Sequence, residues 1–382
     1  MTRILELELS HFRSHKRTRL SLDGRPVALA GPNGAGKTNL LEAVSLLSPG
    51  RGLRRAAPED LPRRPESIGW KISALLDTPE GPRQVETFAP AGGGARSVRI
   101  DGKAAPQTQL GALAPMLWLT PSMDGLWTGA ASERRRFVDR AALGFDPAHA
   151  ERSLTYEKAM RERNRLLRDQ LRDAAWFDAL ESRMALSGAA IARARVETVA
   201  RLNGAQPEGG PFPTAALALE GACERRFTAL RDADGLAPDE AERETAAALR
   251  TALARGRARD LAAGRTLDGP HRSDLTAVFA AKGVEARLCS TGEQKALLIS
   301  VTLANARAVA RQRATPPLLL LDEVAAHLDE GRRAALFDAL TELGAQAWMT
   351  GADRALFAGL GARAQLFETV ERDGVATVSP AA

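Results

Sequence analysis

The sequence predicts an α/β fold, in which mixed sheets with flanking helices form a core that a helical second lobe splits in two. Residues 27–47 have the pattern of a short buried strand, a Gly-rich turn and an amphipathic helix. From about residue 132 to residue 259 the chain is rich in Ala, Arg, Glu and Leu at helical spacing. The pattern of a buried strand then returns at residues 318–321. The two halves of one core therefore lie on either side of a helical insertion.

The Gly-rich turn predicts a phosphate-binding loop. Residues 31–38 read G-x-x-x-x-G-K-T, in the strand–loop–helix context that this motif requires. Glycines let backbone N–H groups turn towards phosphate oxygens, and the helix N-terminus adds its positive dipole end. Lys37 would reach the β- and γ-phosphates, and the Thr38 hydroxyl would bind Mg²⁺. The predicted nucleotide-binding residues are Gly31, Pro32, Asn33, Gly34, Ala35, Gly36, Lys37 and Thr38.

The N-terminal third predicts antiparallel strands around this loop. Residues 4–9 alternate apolar and acidic side chains, which is typical of a half-buried strand, and residues 18–22 predict its partner. Residues 49–55 form a basic loop. Four strand-like runs from residue 69 to residue 119 predict an antiparallel sheet beside the core.

The rest of the chain contains the helical insertion and, after it, the second half of the core. Within the insertion, residues 204–213 break the helical pattern. Two apolar stripes at helical spacing are predicted, one of Leu154, Met160, Leu166, Leu167 and Leu171 and one of Trp176, Leu180, Met184, Ile191 and Val196. Beyond it, helices are predicted at residues 292–311 and 332–343, and buried strands at 318–321 and 347–350. Residues 367–378 predict a closing hairpin.

Composition limits the function classes. No run of about 18 apolar residues exists, and the charged N-terminus does not resemble a secretory signal, so we expect a cytoplasmic protein without membrane contact. The two cysteines, Cys223 and Cys289, lie far apart and outside any metal-ligand spacing. A disulfide framework or a zinc site is therefore not expected.

The charge balance leaves two interpretations open. The net charge is +6, and only seven of the 53 basic residues are lysine. Arginine pairs well with phosphate, which favours a polyanionic partner, but a GC-rich coding bias produces the same composition. Aromatic residues make up 4% of the chain, so binding of nucleic acid would depend on backbone contacts more than on base stacking.

Two acidic residues complete the predicted nucleotide site. Asp322 follows the buried strand LLLL, where it can hold Mg²⁺ beside Thr38. Glu323, one residue later, is placed to polarise an attacking water, so Glu323 and Lys37 are the predicted catalytic residues. Apolar runs that end in acids are common, and it is the phosphate loop that makes this one specific.

A second segment suggests that the site is shared between two copies. Ser290 and Glu293 form an S-x-x-E capping box that opens a helix, which alone requires no ligand. The stretch also resembles the signature motif of the ABC-type P-loop ATPases. In that family Ser290 and Gly292 would face a γ-phosphate held by another subunit, and Asp329 would belong to the D-loop near the dimer seam.

Within that superfamily the sequence resembles the RecF family of bacterial DNA replication and repair proteins. The matching stretches span nearly the whole chain: residues 11–16, 31–43, 50–54, 133–140, 156–167, 269–275 and 290–298. Of these, GPHRSDL at 269–275 is the most specific, whereas the arginine-rich stretches could also be solvated helix faces. The resemblance implies an ABC-type ATPase lobe I at residues 1–125 and 265–382, a helical lobe II at 126–264, and a nucleotide-binding role for Arg13.

The resemblance also implies an activity. Two copies would sandwich two ATP molecules with Mg²⁺, Lys37 of one facing Ser290 of the other, and this homodimer would clamp DNA at single-strand gaps. Weak, DNA-stimulated ATP hydrolysis would release the DNA. The implied processes are recombinational repair, replication restart, recombinase loading with RecO and RecR, and the SOS response. Candidate DNA contacts are Arg51, Arg54 and residues 134–136.

Two departures from the family pattern concern hydrolysis. Ser122, Met123 and Asp124 follow Pro121 where relatives carry acidic residues, so the metal-sensing residue of the Q-loop is not assigned. Thr350 stands where a transporter ATPase has its switch histidine. We therefore expect slow hydrolysis.

Three other classes are weaker alternatives. The ATPase subunit of an ABC transporter would have its phosphate loop and signature much closer than the roughly 250 residues between Lys37 and Ser290. An SMC-type ATPase would have a far longer insertion to form its coiled coil. A P-loop kinase would leave the signature helix unexplained.

Overall fold

The computed structural model describes residues 1–64, 66, 68–92, 94–207 and 209–381. These residues form two compact units. Unit 1 comprises Met1–Asp124, Gly209–Phe212 and Leu298–Ala382, and unit 2 comprises Gly125–Glu208 and Pro213–Leu297. Within the described ranges, none of the helices combines the length and the hydropathy that crossing a membrane requires.

The strands of unit 1 have bounds close to those that the sequence patterns predict. In chain order the strands are β1 (Arg3–Phe12), β2 (His15–Ser21), β3 (Val27–Ala30), β4 (Gly69–Thr78), β5 (Gly81–Pro90), β6 (Ser97–Ile100), β7 (Lys103–Ala105), β8 (Met116–Leu119), β9 (Ala215–Glu220), β10 (Asp274–Phe279), β11 (Val284–Glu285), β12 (Leu318–Leu321), β13 (Ala347–Gly351), β14 (Gln365–Arg372) and β15 (Val375–Pro380). Strands β9 to β11, which lie in unit 2, were not predicted.

The α-helices concentrate in unit 2. They are α1 (Lys37–Ser45), α2 (Leu110–Leu113), α3 (Ala131–Phe145), α4 (His149–Arg168), α5 (Ala174–Gly204), α6 (Ala222–Asp232), α7 (Pro238–Arg255), α8 (Arg257–Ala263), α9 (Thr291–Arg313) and α10 (Glu330–Leu343). Short 3₁₀ helices lie between several of these elements.

Unit 1 contains two sheets. The first is antiparallel, with strand order β2-β1-β4-β5-β6-β7, and the second has the order β15-β14-β3-β13-β12-β8. In the second sheet β14, β3, β13, β12 and β8 are parallel, and β15 closes the edge as a hairpin with β14. Strands β3 (VALA), β12 (LLLL) and β13 (AWMTG) are buried at every residue, as strands covered on both faces should be.

The core of unit 1 joins both sheets to α1. Leu7 and Ile72 of the antiparallel sheet belong to the same buried apolar cluster as Leu40 of α1 and Trp348 of β13. Leu40, Leu41 and Val44 are buried, which is the face that the helical pattern after the phosphate loop predicts. This packing fixes α1, and with it the phosphate loop, at the carboxyl end of β3.

Unit 2 is built on helices and one small sheet. Helix α5 packs against α4, α6 and α7, and β9, β10 and β11 form a sheet with β10 in the centre. The motif 269–275 links these elements. Pro270 O accepts a hydrogen bond from Arg195, Ser273 Oγ donates to Glu224, and Asp274 binds Arg134 with both carboxylate oxygens at 2.7 Å.

Three sequence expectations need correction. Met116–Leu119 is not part of the antiparallel sheet, because its apolar side chains pack as β8 beside β12 of the parallel sheet. Ala215–Glu220 lies within the insertion that was expected to be helical, but it is β9, which pairs with β10 over six residues. The predicted apolar stripes are buried only in part. Leu154, Leu171 and Trp176 are 56%, 48% and 63% exposed, whereas the buried members are Leu166, Leu167, Leu180, Met184 and Ile191.

The units divide the chain at other points than the sequence suggested. The second unit continues to Leu297, whereas the return to the first lobe was expected at residue 265. The physical reason is the pairing of β10 with β9, which ties the residues after 265 to the sheet of unit 2.

Candidate nucleotide-binding site

The phosphate loop lies between β3 and α1 in a conformation that requires glycine. Gly36 precedes α1 with φ of 94°, in the left-handed region. A Cβ there would lie 2.7 Å from Ala376 Cβ and 2.8 Å from Ser14 Oγ. A Cβ on Gly31 would lie 2.1 Å from the backbone oxygen of Thr369. The N-terminal and C-terminal hairpins therefore press against the back of the loop and fix its path.

Lys37 lies at the first position of α1 and is almost completely buried. Its ammonium donates hydrogen bonds to Gly31 O at 2.6 Å and Pro32 O at 2.8 Å, within the loop itself. Burial lowers the pKa of Lys37, while the nearby carboxylates of Glu323 and Asp322 favour its charged form. The Lys37 ammonium is thus held by two backbone oxygens of the loop, and the phosphate oxygens of a nucleotide could take their place.

Thr38 and Asp322 meet, as the sequence predicts for a metal-binding pair. Thr38 Oγ1 donates to Asp322 Oδ1 at 2.9 Å, which joins the start of α1 to the end of β12. Asp322 is 6% exposed. Two oxygen atoms of the hard kind that Mg²⁺ prefers therefore lie side by side at the mouth of the phosphate loop.

Thr350, at the end of β13, completes this hydrogen-bond network. Its hydroxyl donates to Asp322 Oδ1 at 2.8 Å and accepts from the Glu323 N–H at 2.8 Å. Glu323 has φ of 54°, a left-handed conformation that is uncommon for a residue with a side chain. Thr350 therefore fixes both the Asp322 carboxylate and the strained backbone of Glu323.

His15 contacts the loop from behind, and motif reasoning assigned it no role. Its Nε2 lies 3.2 Å from Gly36 O, and its Nδ1 lies 2.9 Å from Thr18 Oγ1. Burial lowers the pKa of His15 to about 4, so the ring is neutral at pH 7. His15 lies in the stretch 11–16 that resembles the family pattern, and this resemblance was the sequence signal that could have pointed to it.

Arg13 does not extend into the phosphate loop. Its guanidinium binds both carboxylate oxygens of Glu42, at 2.8 Å and 2.9 Å, and donates to Asp60 O. Glu42 is completely buried in α1, and Arg54 lies 3.5 Å from the same carboxylate. Arg13 thus anchors the hairpin turn to the helix that follows the loop, and a nucleotide contact by Arg13 stays a prediction.

The signature residues lie in unit 2. Ser290 and Gly292 are exposed at the start of α9, and a Cβ on Gly292 would meet no atom within 4 Å. The capping box forms as predicted, because Glu293 Oε2 accepts from both the N–H and the hydroxyl of Ser290 at 2.9 Å. Asp329, in unit 1, caps α10 by accepting from the Arg332 N–H at 2.8 Å.

The arginines considered for DNA binding divide into two groups. Arg134 and Arg135 are engaged inside unit 2, Arg134 with Asp274 and Arg135 with Ser273 O. Arg136 pairs with Glu133. Arg51 and Arg54 are exposed on the basic loop, where they donate to Ala56 O and Asn39 Oδ1 respectively.

Thus the structure brings Lys37, Thr38, Asp322 and Glu323 into one site in unit 1, with Thr350 as an additional member. The Q-loop position stays unassigned: Pro121–Met123 is a short 3₁₀ helix in which Ser122 Oγ lies 2.8 Å from Thr120 Oγ1. Among the described residues, no group of three or more His, Cys, Asp or Glu side chains could form a metal site of its own.

A family model and two curated relatives point to the same family for this chain. Residues 3–372 match the family of RecF/RecN/SMC N-terminal domains. The DNA replication and repair protein RecF of Brucella suis biovar 1 is 52% identical over 95% of this chain and 94% of its own length. RecF of Mesorhizobium japonicum is 50% identical over 98% of this chain and 97% of its own.

A solved structure supports the fold. The recombination mediator protein RecF-ATP of the RecFOR pathway superposes with a TM-score of 0.80 at 21% identity, over 100% of this chain and 98% of that one. This likeness confirms the predicted fold class, an ABC-type ATPase head with a second, mainly helical lobe. Together with identities near 50% over almost the full length of curated relatives, it shows that the chain belongs to the RecF family of DNA replication and repair proteins.

Proposed function

We propose that this chain is an ATP-dependent DNA clamp of recombinational repair, in which ATP joins two copies and hydrolysis separates them. The observation that carries the proposal is the network of Thr38, Asp322, Thr350 and Glu323 around the phosphate loop. A lysine, a metal-binding pair and a carboxylate one residue later are the parts that P-loop ATPases use. The solved RecF that carries ATP supports the choice of nucleotide.

Thr38 and Asp322 would hold Mg²⁺ at the phosphates of ATP. The ion would neutralise charge on the transferred phosphoryl group. Lys37 would exchange its two loop carbonyls for phosphate oxygens, and Glu323 would orient the water that attacks. Thr350 stands where a transporter ATPase has its switch histidine. No imidazole would therefore assist ATP hydrolysis at this position, which supports slow turnover.

The second half of each site would come from another copy. Ser290 and Gly292 are exposed at the N-terminus of the long helix α9, where backbone N–H groups and the helix dipole favour an anion. In the proposed dimer they would face the γ-phosphate bound at Lys37 of the partner, near Asp329. Bound ATP would therefore join the two copies, and its hydrolysis would let them separate.

DNA would bind through its phosphate backbone. The chain carries a net charge of +6, and the exposed Arg51 and Arg54 lie on a basic loop that follows α1. The names of its relatives support a role in DNA replication and repair, and the RecFOR pathway of the solved relative supports RecO and RecR as partners at single-strand gaps. Recombinase loading and the SOS response belong to this proposal.

The deciding experiment measures mass in solution with Mg-ATP, with Mg-ADP and without nucleotide, with and without gapped duplex DNA. Glu323→Gln should slow hydrolysis and accumulate a dimer in ATP, while Glu368→Gln, an exposed carboxylate on β14, should behave like the wild type. A Glu323→Gln protein that stays monomeric in saturating ATP would contradict the clamp mechanism.

A further inference from the structure

A lysine outside the sequence motifs contacts the signature segment. Lys282 lies in the turn between β10 and β11, where its ammonium donates a hydrogen bond to Glu293 Oε1. The same ammonium lies 5.3 Å from the centre of the Phe279 ring, a cation–π distance. Two contacts within unit 2 therefore hold a side chain that is 54% exposed.

The two oxygens of Glu293 are divided between two partners. Oε1 accepts from Lys282, whereas Oε2 accepts from the Ser290 N–H and from the Ser290 hydroxyl, each at 2.9 Å. The Glu293 N–H in turn lies 3.4 Å from Ser290 Oγ. Because one carboxylate connects both groups, the contact with Lys282 restrains the rotation of the Glu293 side chain that bonds Ser290.

The charge of Glu293 needs compensation if Ser290 is to meet a phosphate. A carboxylate within hydrogen-bonding distance of that serine would repel the triphosphate, and Lys282 is the cation that binds it. With Lys282 in place, Glu293 can keep its bond to the Ser290 N–H. The serine hydroxyl is then free to rotate its proton towards a phosphate oxygen.

We propose that Lys282 is a positioning residue of the signature segment, which holds Glu293 so that Ser290 and the N-terminus of α9 can engage ATP bound to a second copy. The proposal rests on the ATP-dependent dimer described above. The alternative is a surface ion pair with no role in engagement, which contributes little to stability and nothing to dimer formation.

The test is a double-mutant cycle on the full chain. Dimer dissociation constants in saturating Mg-ATP are measured by sedimentation for the wild type, Lys282→Met, Glu293→Gln and the double variant. Lys158→Met, an exposed lysine on α4, is the matched control, and Lys282→Arg tests rescue by charge. Binding of a fluorescent ATP analogue to the monomer and the thermal midpoint report on the phosphate loop and on folding.

Lys282→Met should weaken the ATP-dependent dimer about tenfold, the equivalent of one charge-assisted contact, and Lys158→Met should not. Lys282→Arg should restore most of the affinity. In the Glu293→Gln background the same change should have less than about a twofold effect, since the charge that requires compensation is gone. Monomer affinity for nucleotide and the thermal midpoint should stay unchanged throughout.

Two results would overturn the inference. Lys282→Met could dimerise like the wild type, or its effect could persist undiminished in the Glu293→Gln background. Either leaves the proposed function intact as long as the wild type dimerises in ATP. If the wild type never dimerises in ATP, both proposals are overturned. The dissociation constant of the wild type in saturating Mg-ATP therefore distinguishes failure of the proposed function from failure of the inference about Lys282.

Discussion

Thr350 Oγ1 donates a 2.8 Å hydrogen bond to Asp322 Oδ1, across neighbouring parallel strands. The same hydroxyl accepts the N–H of Glu323, whose backbone is in the left-handed region. Thr350→Val removes both bonds at nearly constant volume and leaves the Glu323 N–H without its acceptor. We expect a loss of about 1 to 3 kcal/mol in the free energy of unfolding and a fall of ATP turnover by about tenfold or more.

Thr350→Ser is the matched control, because it keeps the hydroxyl and removes only a methyl group. It should retain turnover within a few-fold, and denaturant titration together with phosphate release measures both quantities. If Thr350→Val and Thr350→Ser hydrolyse ATP equally well, the hydroxyl has no part in placing Glu323.

The origin of this contact shows how far sequence reasoning extends. Lys37 and Thr38 belong to one local motif, and Asp322 follows a common strand pattern that becomes specific once that motif is present, so all three could be predicted from sequence. The contact of Thr350 with Asp322 depends on β12 pairing with β13 in the register Leu321 to Met349, which no local pattern encodes. His15 likewise reaches Gly36 only because the N-terminal hairpin folds over the loop.

Fold prediction failed where composition and environment disagree. The alanines of Ala215–Glu220 favour a helix in isolation, but pairing with β10 provides the backbone hydrogen bonds and buries one face. Met116–Leu119 has a strand pattern that fits either sheet of unit 1. Its place beside β12 is set by the tertiary packing of buried apolar side chains.

Lys37→Ala should abolish nucleotide-dependent dimerisation. The substitution removes the ammonium that lies 2.6 Å from Gly31 O and 2.8 Å from Pro32 O, and with it the charge that would bind the phosphates. Affinity for a fluorescent ATP analogue should fall by about tenfold or more, as expected for loss of charge-assisted hydrogen bonds. Lys71→Ala, an exposed lysine paired with Glu86, is the control. Unchanged dimerisation of the Lys37 variant would contradict its assigned role.

Stability should fall in mild acid, in part through His271. Its Nε2 donates to Thr266 O at 3.2 Å and its Nδ1 accepts from Tyr156 OH at 2.7 Å, so the ring is neutral. Burial lowers the pKa of His271 to about 4, from the ordinary value of 6.5. The unfolded chain therefore binds the proton more readily, and stability is lost as pH falls from about 6.5 towards 4.

For one such histidine the loss is about 2 kcal/mol at pH 5 relative to pH 8. His271→Gln can keep both hydrogen bonds and cannot titrate, so the difference in unfolding free energy between the two pH values should shrink by about that amount. Urea titrations at pH 5 and pH 8 measure it. His15, whose pKa is also lowered to about 4 by burial, should contribute independently from unit 1. An identical pH dependence in His271→Gln and the wild type would show that His271 is not neutral in the folded protein.

DNA affinity should weaken steeply with salt, because the proposed contacts are to phosphates. The logarithm of the association constant should fall linearly with the logarithm of salt concentration, with a slope of about −0.9 for each phosphate contact on B-DNA. Arg51→Gln, on the exposed basic loop, should reduce the magnitude of that slope by about one contact, whereas Arg99→Gln, on the antiparallel sheet beside Phe88, should leave it unchanged. Arg134→Gln is unsuitable here, since it breaks the pair with Asp274 and would destabilise unit 2. A salt-independent affinity, or equal slopes for Arg51→Gln and the wild type, would exclude a phosphate contact at this loop.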